Sequence, residues 1–197
     1  MTKHTTPHLI LASTSRYRRQ LLERLRLPFD VVSPDVDETA LALETPAQLA
    51  CRLAHAKAQA VAALHPNSVV IGSDQVADLN GESLGKPHTH ARAVAQLQRM
   101  RGQTVIFQTA VSVVCHARQF AQTELAQVKV CFNPLTDLEI DAYLHAEQPY
   151  DCAGSAKSEG LGIALLARID NDDPTALVGL PLIRTCQLLR AAGLKLL

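Results

Sequence analysis

Val69-Val70-Ile71 is an unbroken apolar, β-branched run, and it passes at once into Gly72-Ser73-Asp74-Gln75-Val76. A short apolar run without alternation is the pattern of a parallel strand buried on both faces. In open α/β sheets ligands sit beyond the carboxyl ends of such strands. Asp74 is therefore a candidate for holding a metal or activating a water. The competing reading is a strand-end Asp that caps a turn.

The flanking sequence repeats this grammar. Leu9-Ile10-Leu11-Ala12 reads as a first strand. It is followed by Ser13-Thr14-Ser15 and a helix in which Leu21, Leu22 and Leu25 recur at helical spacing. A strand running through a hydroxyl-rich turn into a helix N-terminus offers N–H and O–H donors to an anion, and Arg18 lies one turn inside. Simple Ser capping explains the same residues and is compatible with anion binding. Phe29 to Val32 is a second strand. Asp35, Asp37 and Glu38 then crowd one loop, an arrangement that is costly unless solvated or holding a cation. Thr45-Pro46-Ala47-Gln48 is a capping box opening a long Ala-rich helix to about Leu64, with Lys57 in its middle.

After the central strand, Asn80-Gly81 predicts a hairpin turn. Gly81 to Pro87 resembles a phosphate-binding P-loop but fails as one. Its glycines are one residue too close, and Pro87 stands where Ser or Thr would bind magnesium. Lys86 remains a candidate phosphate contact. His90 to Met100 reads as a helix ending near Gly102, Thr104–Cys115 and Gln122–Phe132 as a hairpin of strands, and Thr136-Asp137-Leu138-Glu139 as a second capping box opening a helix to about Glu147. Small-residue turns at Cys152–Ser155 and Ser158–Gly162 precede an expected strand Ile163–Ile169. The last helix is expected over Leu180–Ala192. Interleaved strands and helices with antiparallel hairpins predict a mixed α/β fold in a single domain over 1–197.

Composition mainly excludes. Nineteen basic residues balance nineteen acidic ones, so there is no global field for nucleic acid or membrane, and any anion site must be local. No apolar run approaches the roughly 18 residues of a membrane span, and Met1 to Pro7 is polar, without a signal-peptide core. Both point to the cytoplasm. Five scattered cysteines form no CxxC pair, so buried free thiols are expected rather than zinc or disulfides. His88 and His90 form HxH, a possible metal pair better read as exposed residues before a helix.

Seven segments in order then resemble one family. Ser13-x-Ser15-x-x-Arg18-x-x-Leu21-Leu22, Val36-Asp37-Glu38-Thr39, Ala56-Lys57-Ala58, Gly72-Ser73-Asp74, Gly85-Lys86-Pro87, Ala153-Gly154-Ser155 and Val178-Gly179-Leu180-Pro181 are similar to the signature of the Maf family of nucleoside triphosphate pyrophosphatases. Each is weak alone; together they span nearly the whole chain. The resemblance implies an elongated, twisted mixed sheet with flanking helices and two lobes around a cleft, like that of inosine triphosphate pyrophosphatases, often in a homodimer. Relatives acting on dTTP and UTP usually carry Ala-Asp-Thr where this chain has Ser73-Asp74-Gln75. Gln75, with Tyr17 and Glu159, resembles the subgroup that hydrolyses 7-methyl-GTP. That subgroup carries Trp where this chain has Tyr17, a smaller aromatic face.

The resemblance gives the separate residues roles. Glu38 and Asp74 are hard oxygen ligands for Mg2+ or Mn2+, and Asp74 is the expected base. Ser13, Ser15 and Arg18 would hold phosphate oxygens. Lys57 and Lys86 would neutralise the remaining charge of a nucleoside triphosphate. Tyr17, Gln75 and Glu159 would read the base. A non-catalytic regulator of septum formation that binds nucleotide or nucleic acid is the alternative. Such a binder has use for Arg18, Lys57 and Lys86 but not for both acids, and zero net charge weighs against nucleic acid.

Overall fold

The structure is a computed structural model that describes residues 7–197. Seven strands form one mixed sheet in the order β2-β1-β3-β5-β6-β7, with β4 paired to β3 off that path. These are β1 (Leu9–Ala12), β2 (Asp30–Val32), β3 (Val69–Leu79), β4 (Glu82–Leu84), β5 (Thr104–Cys115), β6 (Phe120–Phe132) and β7 (Leu166–Asp170). The helices are α1 (Arg16–Glu23), α2 (Pro46–Leu64), α3 (His90–Met100), α4 (Asp137–Glu147) and α5 (Leu182–Ala191). β1 is parallel to β2 and β3; every other pairing is antiparallel.

Helix starts follow the local chemistry. Ser15 and Thr89 cap α1 and α3, and Thr45–Gln48 and Thr136–Glu139 form full capping boxes on α2 and α4. The core divides along the length of the long strands. Val69 and Ile71 of β3, with Val111 and Val113 of β5, pack beneath α1 and α5. Ala77 and Leu79 of β3, with Val105 and Phe107 of β5, pack with α3 and α4. The two ends of the same strands thus serve two lobes, and residues 72–76 lie where one gives way to the other.

Four details differ from the sequence reading. Asp74 is not at a strand end, because β3 continues to Leu79. The strand that ends is β1, whose Ala12 pairs with Gly72, so Asp74 lies just past the carboxyl end of its parallel neighbour. Residues 161–165 are a 3-10 turn rather than strand. Gly162 is packed against Lys157 backbone, Leu161 N–H is held by Glu147, and β6 offers pairing only from Phe132, opposite Leu166. The last helix begins two residues late, at Leu182, because the buried Asp173 carboxylate accepts the Ile183 and Arg184 N–H groups. All five cysteines are free as expected, but only Cys115 is buried. Cys51 and Cys186 lie on helices, Cys131 near the end of β6 and Cys152 on a loop.

Gly72 sets the distance between β3 and α2. A Cβ there would lie 2.2 Å from the Ala54 carbonyl oxygen and 2.5 Å from Ala58 N, both backbone atoms of α2. Helix and strand touch through their main chains, and neither obstacle can rotate away. Gly72→Ala should cost about 3 kcal/mol, the upper part of the range for overpacking. Urea denaturation measures it, and a change under about 0.5 kcal/mol would show that α2 shifts freely.

Candidate active site

The close approach at Gly72 carries Lys57, one residue before Ala58 on α2, over the next residue of β3 on that face. Lys57 Nζ lies 2.7 Å from Asp74 Oδ1 and 2.7 Å from Glu38 Oε1. Lys57 is 5% exposed and Asp74 7%. The lysine that a helix pattern would leave solvated is therefore a buried cation between two acids. Burial pushes the Glu38 carboxyl up, but the Lys57 hydrogen bond outweighs it together with the charges of Lys57, Lys86 and Arg18. The group stays below the usual carboxylate range. Asp35 and Asp37 stay exposed, and Asp37 accepts the Thr39 N–H in a local turn.

The turn between β1 and α1 supplies donors. Ser13 Oγ accepts the Ser15 N–H at 3.1 Å, and Ser15 Oγ accepts the Arg18 N–H at 3.4 Å. Both oxygens are accepting from backbone, so both hydroxyl protons are free to donate outward. Arg18 Nε donates to the Gly179 carbonyl at 2.8 Å. That bond leaves the rest of the guanidinium for the cleft it lines. Burial lowers the Arg18 pKa against the raising fields of Asp74 and Glu38, and a guanidinium remains charged regardless.

These groups line a cleft of about 570 Å3 with Tyr17, Gln75, Lys86 and Glu159. Of the ten residues singled out in the sequence, all but Asp74 line it, and Asp74 reaches it through Lys57. Gln75 behaves differently from the expectation. Its amide nitrogen donates to Thr109 Oγ1 and to the Ala176 and Leu177 carbonyls, at 2.9–3.0 Å. Its N–H groups hold a loop, and only its carbonyl oxygen is left to meet a base. Tyr17 also has company. The Arg16 guanidinium lies 4.8 Å from its ring centroid, and its hydroxyl donates to Asp151 at 3.4 Å. Arg16 thus covers one ring face.

Several residues of the site were not foreseen. Ser73 Oγ donates to Ala110 and Gly179 carbonyls. Asp173, fully buried, fixes the same 173–184 segment. Asp151 and Cys152 join Tyr17 on the cleft wall. The Cys152 thiol is pushed up to about 12, first by burial, then by the Asp151 carboxylate, with Glu159 adding. Arg52 makes two hydrogen bonds to Glu44 and a third to the Thr39 carbonyl, closing the loop that carries Glu38 against α2. An Asp or Arg in a loop or helix carries no mark of these partners, and Asp173 stands nine residues before the helix whose N–H groups it accepts.

Residues 8–192 match the model of a single family, described as Maf-like protein. The chain belongs to it. Among relatives of this Maf-like protein, one from Albidiferax ferrireducens is 72% identical over 96% of this chain and 95% of its own length. One from Polaromonas sp. is 70% identical over 98% and 88%, and one from Burkholderia pseudomallei 62% over 96% and 90%. All three bear the name 7-methyl-GTP pyrophosphatase. A HAM1 protein from Coxiella burnetii gives a structural match with TM-score 0.46 at 15% identity, over 66% of this chain and 74% of that one.

The Glu44–Arg52 clamp generates a pH prediction. Arg52 first, then the Leu41 N–H, hold the Glu44 carboxyl down at about 2, against 4.5 ordinarily. Its folded-state pKa is depressed, so its contribution is complete above about 4.5 and is lost as pH falls through about 2. Glu44→Gln should melt below the wild type at neutral pH, and the gap should close on acidification through that window. Equal melting temperatures at neutral pH would show that the clamp contributes nothing.

Proposed function

We propose that this Maf-like protein hydrolyses 7-methyl-GTP to 7-methyl-GMP and pyrophosphate, with a divalent cation, removing a modified nucleotide. The observation that carries this reading is the division of charge along the cleft. One side has Arg18, Lys57 and Lys86 around the Glu38–Asp74 pair, with the Ser13 and Ser15 hydroxyls. The other has Tyr17 with the Asp151 and Glu159 carboxylates, which outnumber the single cation there, Arg16. A polyanion with a cationic flat base at one end matches both.

The two acids suit a hard cation. Glu38 and Asp74 already converge on one positive charge at Lys57 Nζ, each at 2.7 Å, and carboxylates with phosphate oxygens make a magnesium or manganese donor set. Bound there, such an ion polarises a phosphoryl oxygen and lowers the pKa of a ligated water. Asp74 takes the proton of the attacking water at the α-phosphorus. Lys57 keeps Asp74 and Glu38 apart in charge and aligned in space. Ser13, Ser15 and Arg18 donate to phosphate oxygens, and Lys86 neutralises the departing pyrophosphate.

At the other end, N7-methylation gives guanine a delocalised positive charge. The face of Tyr17 away from Arg16 stacks on it, worth about 0.5–2 kcal/mol. Glu159 accepts from guanine N1–H and N2–H, and the methylated base makes N1–H the more acidic donor. The reading also carries a homodimer, implied by the family resemblance, and the cytoplasmic location expected from composition; no helix among the described residues is long and apolar enough to cross a membrane.

Run in ¹⁸O-water with 7-methyl-GTP, the enzyme should place label in the monophosphate and release unlabelled pyrophosphate. Label in orthophosphate would make it a terminal phosphatase. Asp74→Asn should lose about 10² to 10⁴ in kcat with the fold retained; near-wild-type turnover would move the base to Glu38.

Glu159→Gln should reduce discrimination between 7-methyl-GTP and UTP by about 1–3 kcal/mol, because an amide cannot accept both protons. Tyr17→Ala should lower the ratio of kcat/KM for 7-methyl-GTP over GTP. A wild type that prefers dTTP or UTP would overturn the base assignment and leave the pyrophosphatase reading intact.

A further inference from the structure

A second cluster of ligand-type side chains lies on the α3–α4 face, with no residue in common with the cleft. His90 opens α3, and Asp141 and His145 stand one turn apart on α4. One donor atom from each lies within 4.8 Å of the other two. His90 Nε2 is 3.3 Å from Asp141 Oδ1, and the two imidazole rings are 4.9 Å apart between centroids. Of the HxH pair in the sequence, only His90 takes part.

Neighbouring polar groups hold the rings. The Tyr150 hydroxyl lies 3.3 Å from the Leu144 carbonyl and 3.1 Å from His90 Nδ1. When it donates to the carbonyl it accepts from His90 Nδ1, and the Nε2 lone pair then faces the Asp141 carboxylate; when it donates to Nδ1, Nε2–H donates to that carboxylate. His145 Nδ1 lies 2.9 Å from the Asp141 main-chain carbonyl, which only accepts, so its Nε2 carries the lone pair. In the Nδ1–H tautomer His90 Nε2 and Asp141 Oδ1 are two acceptors 3.3 Å apart, an arrangement that a bound metal ion satisfies. Imidazoles whose other nitrogen is pinned by a hydroxyl or carbonyl are the usual form of histidine ligation.

We propose that His90, Asp141 and His145 form a transition-metal site, for which two imidazoles and a carboxylate select Zn2+ over Mg2+. A tetrahedral ion bound by three protein groups ties α3 to α4 and keeps one position for water. Its effect reaches further through Tyr150. The Tyr150 carbonyl accepts the His88 N–H, and Asp151 and Cys152 follow directly on the cleft wall. Metal binding at this face therefore stiffens the segment that presents Asp151 to Tyr17.

Co2+ is the probe, because nitrogen ligation gives it visible absorption, and excess Mg2+ occupies the oxygen ligands of the cleft. The wild-type protein should bind one equivalent of Co2+ with that absorption, be bleached by Zn2+, and melt higher with Zn2+ present. His145→Ala and Asp141→Asn alter exposed side chains and should lose at least tenfold in Co2+ affinity while keeping the fold by circular dichroism. Tyr150→Phe keeps all three ligands and should lose about tenfold through the freed ring. Glu38→Gln should bind Co2+ as the wild type does. Absence of the absorption in the wild type, unchanged affinity in His145→Ala, or loss of the signal in Glu38→Gln would each overturn the proposal.

Discussion

Lys57 is a cation shut away from water between two carboxylates, and much of the molecule exists to keep it there. A buried charge is tolerated only when paired, and removing the buried partner, Asp74, costs about 3–5 kcal/mol; Glu38, with its side chain 58% exposed, contributes less. Asp74 comes from the central strand and Glu38 from a loop, so the ion triad joins elements that share no ladder. The loop has its own tether in Glu44–Arg52. The strand and helix have theirs in the main-chain contact at Gly72. Loosening either would leave a charge desolvated without its partner.

The run Gly72-Ser73-Asp74-Gln75 acts on both sides of the sheet because side chains alternate along a strand. Gly72 and Asp74 face α2, the first by letting the helix in and the second by meeting Lys57. Ser73 and Gln75 face the 176–179 loop and hold its carbonyls. Gly179 O also receives Arg18, so the first helix and the central strand share one acceptor. Four consecutive residues thereby bring α2, α1 and the C-terminal loop to one point. That is why the segment has no alternation of apolar and polar: neither face is solvent.

What the sequence made legible was whatever is local. Capping residues placed helix starts at Ser15, Thr45 and Thr136 correctly, because a cap is decided within four residues. Asn80-Gly81 marked its hairpin for the same reason; both residues have positive φ. Nine of the ten residues named from the sequence line one cleft. Failures were non-local. The 161–165 turn depends on Glu147 and Lys157, and the start of α5 depends on Asp173. Gln75 gave no sign that its amide would be spent on a loop a hundred residues later. Asp151 lay in a segment without periodicity, and only the fold sets it beside Tyr17.

In the proposed reading, zero net charge conceals the feature on which base selectivity rests. Arg16 already occupies one face of Tyr17, so a cationic base on the other face would put positive charge on both sides of one ring. The ring quadrupole cannot repay that alone, since an exposed cation–π contact is worth only about 0.5–1 kcal/mol. The remainder must come from Asp151, 3.7 Å from the Arg16 guanidinium, and from Glu159. Their joint field is felt at Cys152, whose thiol both carboxylates help to hold protonated. In the proposed reading, preference for a charged base over an uncharged one is then shared: the carboxylates supply most of the field, and the tyrosine adds its cation–π contact and its position. A larger aromatic ring would change the area of stacking without changing the sign of the charge the pocket selects.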